Sequence, residues 1–203
     1  DRTSETQGEN QSYSVDVSQL GGMYAEKIHL VDNGQGLGVR NAGHIGASAG
    51  DVKIDSQGKI VNEGVINGVD NIHLHTAVAT NTGKIESKQG QIDLNAKSIT
   101  QDGSVIARKG NVSLKGNVVR QKGETVAKGR VDYDAKSIVA DKTAFIAAGV
   151  NITEDKGKVV RTLDAAHVAG SGITLKGDNS VTMHGKQVAS GNIAVQGGAL
   201  NLD

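Results

Sequence analysis

Short strand-like segments recur along this chain about every 20 residues, and this spacing limits the folds open to it more than any other feature. Each segment has an apolar, a polar and a second apolar position, as in Ile72-His73-Leu74. The segments begin at Val52, Ile72, Ile92, Val112, Val131 and Ile152 and, after a longer step, at Ile173 and Ile193. A second series runs through Val65-Ile66, Ile85, Val105-Ile106, Val126 and Phe145-Ile146, and a weaker third one through Ile99, Val118-Val119 and Ile138-Val139.

The three series together predict an all-β fold, a right-handed parallel β-helix with about 20 residues and three short strands per coil. An apolar pattern of helical period is missing, which leaves no crossover helices between the strands. Alternation within a strand would point Ile72 and Leu74 inward and His73 outward. About nine or ten coils, stacked roughly 4.8 Å apart, would form a rod about 45 Å long.

Polar residues recur in register just before the first strand of each coil: Asp51, Asn71, Gln91, Asn111 and Asn151. They are expected either to form a hydrogen-bonded ladder along one corner of the rod or simply to mark turns. The period is regular from Asp51 to about Ile152 and then slips. A loop is therefore predicted to protrude at Lys156–Ala166.

Composition agrees with a narrow solenoid that has many tight turns. The chain has 28 glycines and no proline, so every backbone N–H can join a ladder. Its formal net charge is zero, which argues against a nucleic-acid partner or an anionic membrane surface. No apolar run approaches the roughly 18 residues that cross a bilayer, so the chain is not expected to span a membrane.

The most specific motif is LGGMYA at residues 20–25, within the segment VDVSQLGGMYAEKI at residues 15–28. A second segment, GLGVRNAGHIGA, follows at residues 36–47. Both segments resemble the filamentous haemagglutinin family of two-partner secretion exoproteins, at the junction between secretion domain and haemagglutinin-type repeats. The resemblance divides the chain into residues 1–14, a polar linker or the end of a secretion domain, residues 15–50, the junction and first coils, and residues 51–203, a haemagglutinin-repeat β-helix.

The resemblance implies secretion through an outer-membrane β-barrel transporter, which would be a partner through a region upstream of this chain, and display at the bacterial cell surface. Members of the family include adhesins, haemolysins and the toxin-delivery stalks of contact-dependent growth inhibition. The upstream secretion motifs and a C-terminal toxin are not recognised in this stretch. No catalytic, toxin or transporter-binding residue is therefore carried over from the family.

Parallel β-helices also host enzymes that act on polysaccharides, which place acidic residues on neighbouring coils. Asp132 and Asp134 would share one face about 7 Å apart, a distance compatible with a glycosidase pair. The two outward columns of that face interleave acidic with basic or neutral residues, a pattern more typical of a solvated surface: Lys53, His73, Asp93, Ser113, Asp132 in one and Asp55, His75, Asn95, Lys115, Asp134 in the other.

His73 and His75 would lie on the same face, with Asp93 and Asp55 as neighbours that could complete a metal site. The other histidines, His29, His44, His167 and His184, are scattered. The glycines of Gly34–Gly38 predict a tight turn, since they lack the strand and helix of a nucleotide-binding loop. The basic run lacks the interleaved aromatic residues that stack on bases and is interpreted as solvated: Arg108, Lys109, Lys115, Arg120, Lys122, Lys128 and Arg130.

The sequence thus predicts a structural stalk that projects a distal effector or binding domain, with no enzymatic activity, no cofactor and no metal. One alternative is a β-helix face that binds a target-cell receptor or glycan directly, as an adhesin. A second alternative is a polysaccharide lyase or hydrolase. An uncapped last coil would expose an open strand edge, so end-to-end association of the chain is also expected.

Overall fold

A computed structural model describes residues 12–34, 36–164 and 170–203. These residues form 22 strands, numbered β1 to β22 in chain order, and no helix. Most strands belong to coils that stack in parallel, each pairing with the equivalent strand 19 to 24 residues away. The predicted parallel β-solenoid, with about 20 residues between most equivalent positions, is confirmed.

The coils have three faces, which we name A, B and C in the order in which the chain passes them. Face A contains β3 (Ile28–Asp32), β6 (Val52–Ser56), β13 (Val112–Lys115) and the first halves of the long strands β9 (Ile72–Asn81), β11 (Ile92–Gln101), β16 (Val131–Ala140), β20 (Ile173–Met183) and β22 (Ile193–Leu202). Face B contains β1 (Val15–Val17), β4 (Gly38–Asn41), β7 (Lys59–Asn62), β14 (Val118–Gln121) and the second halves of those long strands.

Face C is a separate sheet whose strands follow one another in chain order. It contains β2 (Gly22–Ala25), β5 (His44–Ala47), β8 (Val65–Gly68), β10 (Lys84–Ser87), β12 (Ser104–Ala107), β15 (Glu124–Ala127), β17 (Phe145–Ala148) and β21 (Lys186–Ala189). The three faces enclose one continuous aliphatic core. Ile72 pairs with Ile92 and Leu74 with Leu94 in register, and all four side chains are buried, as the alternation predicts.

An antiparallel hairpin interrupts the stack between two neighbouring coils. β18 (Val150–Asp155) pairs with β19 (Lys158–Leu163), whereas β16 pairs directly with β20 across the insertion, with Val131 opposite Ile173. The assignment of Ile152 to the coil series is therefore wrong, because Val150-Asn151-Ile152 is one arm of the hairpin. The protruding segment predicted at Lys156–Ala166 does exist but begins earlier, at Val150.

The hairpin turns at Lys156 and Gly157, whose φ angles of 52° and 79° both lie in the left-handed region. Two positive φ angles in a two-residue loop are the signature of a type I′ turn, whose twist matches that of the flanking strands. Some sequence features lie outside the described residues: most of the predicted linker at residues 1–14, Gln35, His167 and the end of the predicted loop. The described part of the chain contains no helix suited to crossing a membrane.

The LGGMYA motif has a local structural role at the first coil. The ring of Tyr24 lies against Gly22, where a Cβ atom would collide with it, and meets the ring of His44 edge-on at a centroid distance of 5.0 Å. Gly22 thus lets an aromatic side chain cover the backbone of β2. In the last described coil, the side chains of Ile193, Leu200 and Leu202 are about half exposed at 45%, 49% and 51%.

Candidate functional site

The two outward columns of face A have the register that the sequence predicts. Lys53, His73, Asp93, Ser113 and Asp132 are successive partners, and so are Asp55, His75, Asn95, Lys115 and Asp134. Asp132 forms an ion pair with Arg130, at 2.9 Å between Nη2 and Oδ1, and Asp134 lies between Lys115 and Lys176 in its column. Each carboxylate of this pair thus has a basic neighbour.

His73 and His75 face carboxylates of neighbouring coils. Nδ1 of His73 lies 3.0 Å from Oδ2 of Asp93, and Nδ1 of His75 lies 3.4 Å from Oδ1 of Asp55. His29 approaches the other oxygen of Asp55 at 3.6 Å. Within the described ranges no three histidine, aspartate or glutamate side chains are grouped closely enough to hold a metal ion.

Two shallow grooves of about 420 and 500 Å³ run over this part of face A and share Asp55, His75 and Asn95 in their walls. Both are open to solvent on one side and lined by mixed polar groups. Gly38, at the start of β4, has a φ of 122° and approaches the backbone of Lys59 closely. The turn predicted at Gly34–Gly38 includes Gln35, which lies outside the described residues.

The corner ladder predicted before face A is confirmed, although its bonds join side chains to backbone. Oδ1 of Asp51 accepts from the N–H of Asn71 at 2.9 Å, and Oδ1 of Asn71 accepts from the N–H of Gln91 at 2.9 Å. The series continues through Asn111 to Arg130 at 2.6 and 2.7 Å. Asn151 is not a member, since its amide binds Asp164 at the base of the hairpin.

A second ladder lies inside the rod, and the sequence analysis missed it. Its members are amide side chains at the ends of five successive face B strands, buried and stacked in register: Asn41, Asn62, Asn81, Gln101 and Gln121. The amide of Asn62 donates to Oδ1 of Asn81 at 2.9 Å, and that of Asn81 donates to Oε1 of Gln101 at 3.0 Å. Their second N–H groups donate to backbone carbonyls of the next coil, so these buried amides are satisfied.

The hairpin is docked on face C, and this interface was also missed. The outward side chains of Ile106, Val126 and Ala147 form an apolar strip along three coils, and Val150 and Ile152 of the hairpin are buried against them. This cluster is separate from the main core. Burial of an aliphatic side chain stabilises by about 1.5–3 kcal/mol, so these two contacts supply most of the docking energy.

Ion pairs surround the apolar contact. Arg161 of the hairpin binds the carboxylate of Glu124 with two bonds of 2.7 and 2.9 Å, and Arg108 of the shaft bridges Glu86 and Glu154 at 2.5 and 2.7 Å. The Arg161 guanidinium lowers the pKa of the Glu124 carboxyl, against the opposing effect of burial. Partly exposed pairs of this kind contribute about 0.2–1 kcal/mol each.

The basic run of the sequence does not form one surface. Arg108 and Lys128 bind the hairpin region, at Glu154 and Asp164, whereas Lys115 lies on face A and Arg120 on face B. Its charges are thus distributed around the rod. The remaining described histidines are also apart: His44 contacts Asn67 at 2.8 Å on face C and His184 contacts Asp203 at 3.2 Å.

Comparison with known proteins finds relatives of one kind. The chain is 51% identical over 63 residues, 31% of its length, to a protein named Toxin CdiA from Yersinia pestis. It is 27% identical over 195 residues, 96% of its length, to a tRNA nuclease CdiA from Escherichia coli O6:K15:H31. It is 24% identical over 187 residues, 92% of its length, to a 16S rRNA endonuclease CdiA from Enterobacter cloacae.

The relatives of this chain are CdiA proteins. The likeness supports the two-partner, contact-dependent inhibition part of the sequence resemblance and leaves the haemagglutinin-type repeats as a proposal. The chain spans only 2 to 5% of the length of these three CdiA proteins. No protein-family profile and no solved structure matches the chain.

The prediction of a protein without enzymatic activity is wrong, because CdiA relatives are named as nucleases of tRNA and 16S rRNA. The names also remove the basis for excluding nucleic acid as a partner of the whole protein. The net charge and the acidic residues of this chain describe 203 residues only, whereas the Escherichia coli relative is far longer, since the chain spans 5% of it.

Proposed function

We propose that this chain is a segment of the extended stalk of a large two-partner secreted toxin, and that the whole protein cleaves RNA, as the names of several relatives state for those proteins. The observation that carries the stalk role is the uninterrupted inward row of face A. It runs in register from Ile28 to Ile193 through every coil, past the inserted hairpin. A stack of this kind extends along one axis and can hold a distal domain at a distance from its base.

The division of the chain belongs to the same proposal: residues 15–50 form the junction with a secretion domain, and residues 51–203 form haemagglutinin-type repeats. The outer-membrane transporter of the two-partner system is the proposed export partner, and the cell surface the proposed location. Support comes from the LGGMYA segment and from the CdiA relatives that match more than nine-tenths of the chain.

Replacement of residues 51–203 in the parent protein by the same number of coils from an unrelated parallel solenoid tests the stalk role. We expect surface display, measured by antibody labelling of intact cells, and growth inhibition of neighbouring cells to be retained. Loss of inhibition at normal display would contradict a purely mechanical role and favour direct recognition by a face of the rod. A parent lacking the segment altogether is the control that shows the assay depends on the stalk.

RNA cleavage by the whole protein is tested separately, in the inhibited cells. We expect gel analysis of their total RNA to show fragments of tRNA or 16S rRNA. Intact RNA in cells whose growth has stopped would contradict the nuclease part of the proposal and leave the stalk part untouched.

A further inference from the structure

The hairpin is joined to the shaft differently from every coil strand in the described part of the chain. β18 and β19 pair only with each other, and the sheets of the solenoid close across the insertion. Its attachment consists of side-chain contacts: Val150 and Ile152 on the apolar strip, and ion pairs to Glu124 and Arg108. The hairpin can therefore leave face C without breaking a ladder bond of the coils.

The attachment is also one-sided. Two apolar side chains of β19 lie on the same side of the ribbon as Val150 and Ile152: Leu163, which pairs with Val150, and Val159, which pairs with Glu154. They remain about half exposed, at 46% and 50%. Every residue of β19 is exposed. The contact area is thus concentrated under β18, at one margin of the ribbon, where Gly149 with a φ of 71° provides the junction with the shaft.

We propose that the hairpin is a strap that opens as a unit while the coils stay folded, and that its opening uncovers the apolar strip of Ile106, Val126 and Ala147. Segments held by few buried apolar contacts and no shared ladder open at lower free energy than core strands. The strip in its open state is an apolar surface flanked by Arg108, complementary to an extended segment with alternating apolar residues followed by a carboxylate, as in β18 itself. This inference does not depend on the proposed stalk function.

Thiol labelling tests the strap directly, because the chain contains no native cysteine. Ile106→Cys places a thiol under the hairpin, and Val105→Cys places one on the adjacent residue of the same strand, pointing into the main core. We expect the first thiol to react at least about ten-fold faster than the second, since only the second requires the coils to unfold. Equal labelling rates for the two thiols would overturn the proposal.

Weakening the strap supplies the second measurement. Arg161→Ala removes the pair with Glu124 and should speed labelling of Ile106→Cys about two- to five-fold, and Ile152→Ala by more than about ten-fold. Neither should change labelling of Val105→Cys. Arg120→Ala, which removes an exposed arginine of face B, is the matched control and should alter neither rate.

Hydrogen exchange is measured on the unmodified chain, so its result does not depend on whether the variants fold. We expect amides of β18 and β19 to exchange together and well before those of β12 and β15. Exchange of the hairpin together with the coils would mean that the hairpin is an integral part of the core. Exchange at the rate of an unfolded peptide would mean that it is never docked. Either result would overturn the proposal.

Discussion

Tyr133 donates a buried hydrogen bond to Gln121, in place of the bond that the preceding amide of the interior ladder does not make. Gln101 directs its amide to the carbonyl of Glu124 at 2.7 Å and to Oγ1 of Thr125 at 3.3 Å, and Ala140, which follows Gln121 in the column, carries only a methyl group. The hydroxyl of Tyr133, which enters the core from face A, lies within bonding distance of Oε1 of Gln121 and 2.6 Å from Oγ1 of Thr125. The interior ladder thus ends on a side chain from a different face.

Tyr133→Phe should therefore destabilise the rod, because Oε1 of Gln121 loses a buried donor. We expect the free energy of unfolding to fall by about 1–3 kcal/mol, measured by urea denaturation. Tyr24→Phe, at an exposed ring on face C, is the control and should have little effect. Burial also raises the pKa of Tyr133. Absorbance titration should accordingly show one tyrosine that ionises only when the protein unfolds.

Asn81→Asp tests the interior ladder in its middle. A carboxylate cannot donate to Gln101 or to the carbonyl of Ser104, so two acceptors lose their partner and a charge is buried. We expect a loss of about 3–5 kcal/mol at neutral pH. Thr80→Asp, at the preceding and outward-facing position, should cost much less. Equal losses for the two variants would show that the amide at position 81 is not specifically bonded.

Leu94→Asp places a charge in the main core, where Leu94 is only 2% exposed. An unpaired buried charge is among the few changes that remove most of a domain's stability. We expect the cooperative thermal transition to disappear in circular dichroism. Asn95→Asp, one residue further and outward, should keep it. A normal transition for Leu94→Asp would mean that the inward register of face A is wrong.

Acid should loosen the hairpin before it unfolds the rod. The Arg161 guanidinium holds the pKa of Glu124 below its usual range, so this carboxyl contributes stability above its unfolded pKa and loses it as pH falls through the folded one. The rate of labelling of Ile106→Cys, measured at each pH with a thiol reagent that reacts in acid and compared with that of a free cysteine, should therefore increase below about pH 4.5. Glu124→Gln should show faster labelling at neutral pH and a weaker acceleration in acid. Identical pH profiles for the two proteins would contradict the role of Glu124.

The open last coil should cause the isolated 203-residue chain to self-associate. Ile193, Leu200 and Leu202 continue the inward rows of the core but are half exposed, and the outer edge of β22 has no partner strand within the described part of the chain. Sedimentation velocity should show association that grows with concentration. Leu200→Lys together with Leu202→Lys should reduce it, whereas Thr80→Lys should not.

Most of the coil architecture could be predicted from the sequence because the alternation of apolar and polar residues is a local signal. The polar residue between Ile72 and Leu74 indicates that these two side chains point inward, and the next coil repeats the same alternating pattern. The hairpin could not be predicted from the sequence for the same reason, since Val150-Asn151-Ile152 has the same local pattern as a coil strand. Only pairing distinguishes it: Val150 pairs with Leu163, whereas Val131 of the preceding coil pairs with Ile173.

The interior ladder had a visible signal that was not used. A buried amide stands two positions before a glycine in successive coils, as at Asn62 before Gly64 and Asn81 before Gly83. The glycine allows the backbone of adjacent coils to approach, since a Cβ at Gly83 would collide with the carbonyl of Gly64. Alternation also indicates the inward direction of the amide, since Asn62 stands two positions after the buried Ile60. The role of Tyr133 cannot be read from spacing, because it depends on a contact between side chains of different faces.

Because of the insertion after face C, the axial length of the rod is not proportional to its number of residues. Val131 and Ile173 are neighbours in space, one coil apart, although more than forty residues of sequence lie between them. Residues added at this corner widen the rod without lengthening it. Two solenoid chains with the same residue count can therefore differ in length along the axis, because the number of coils, and not the number of residues, sets that length.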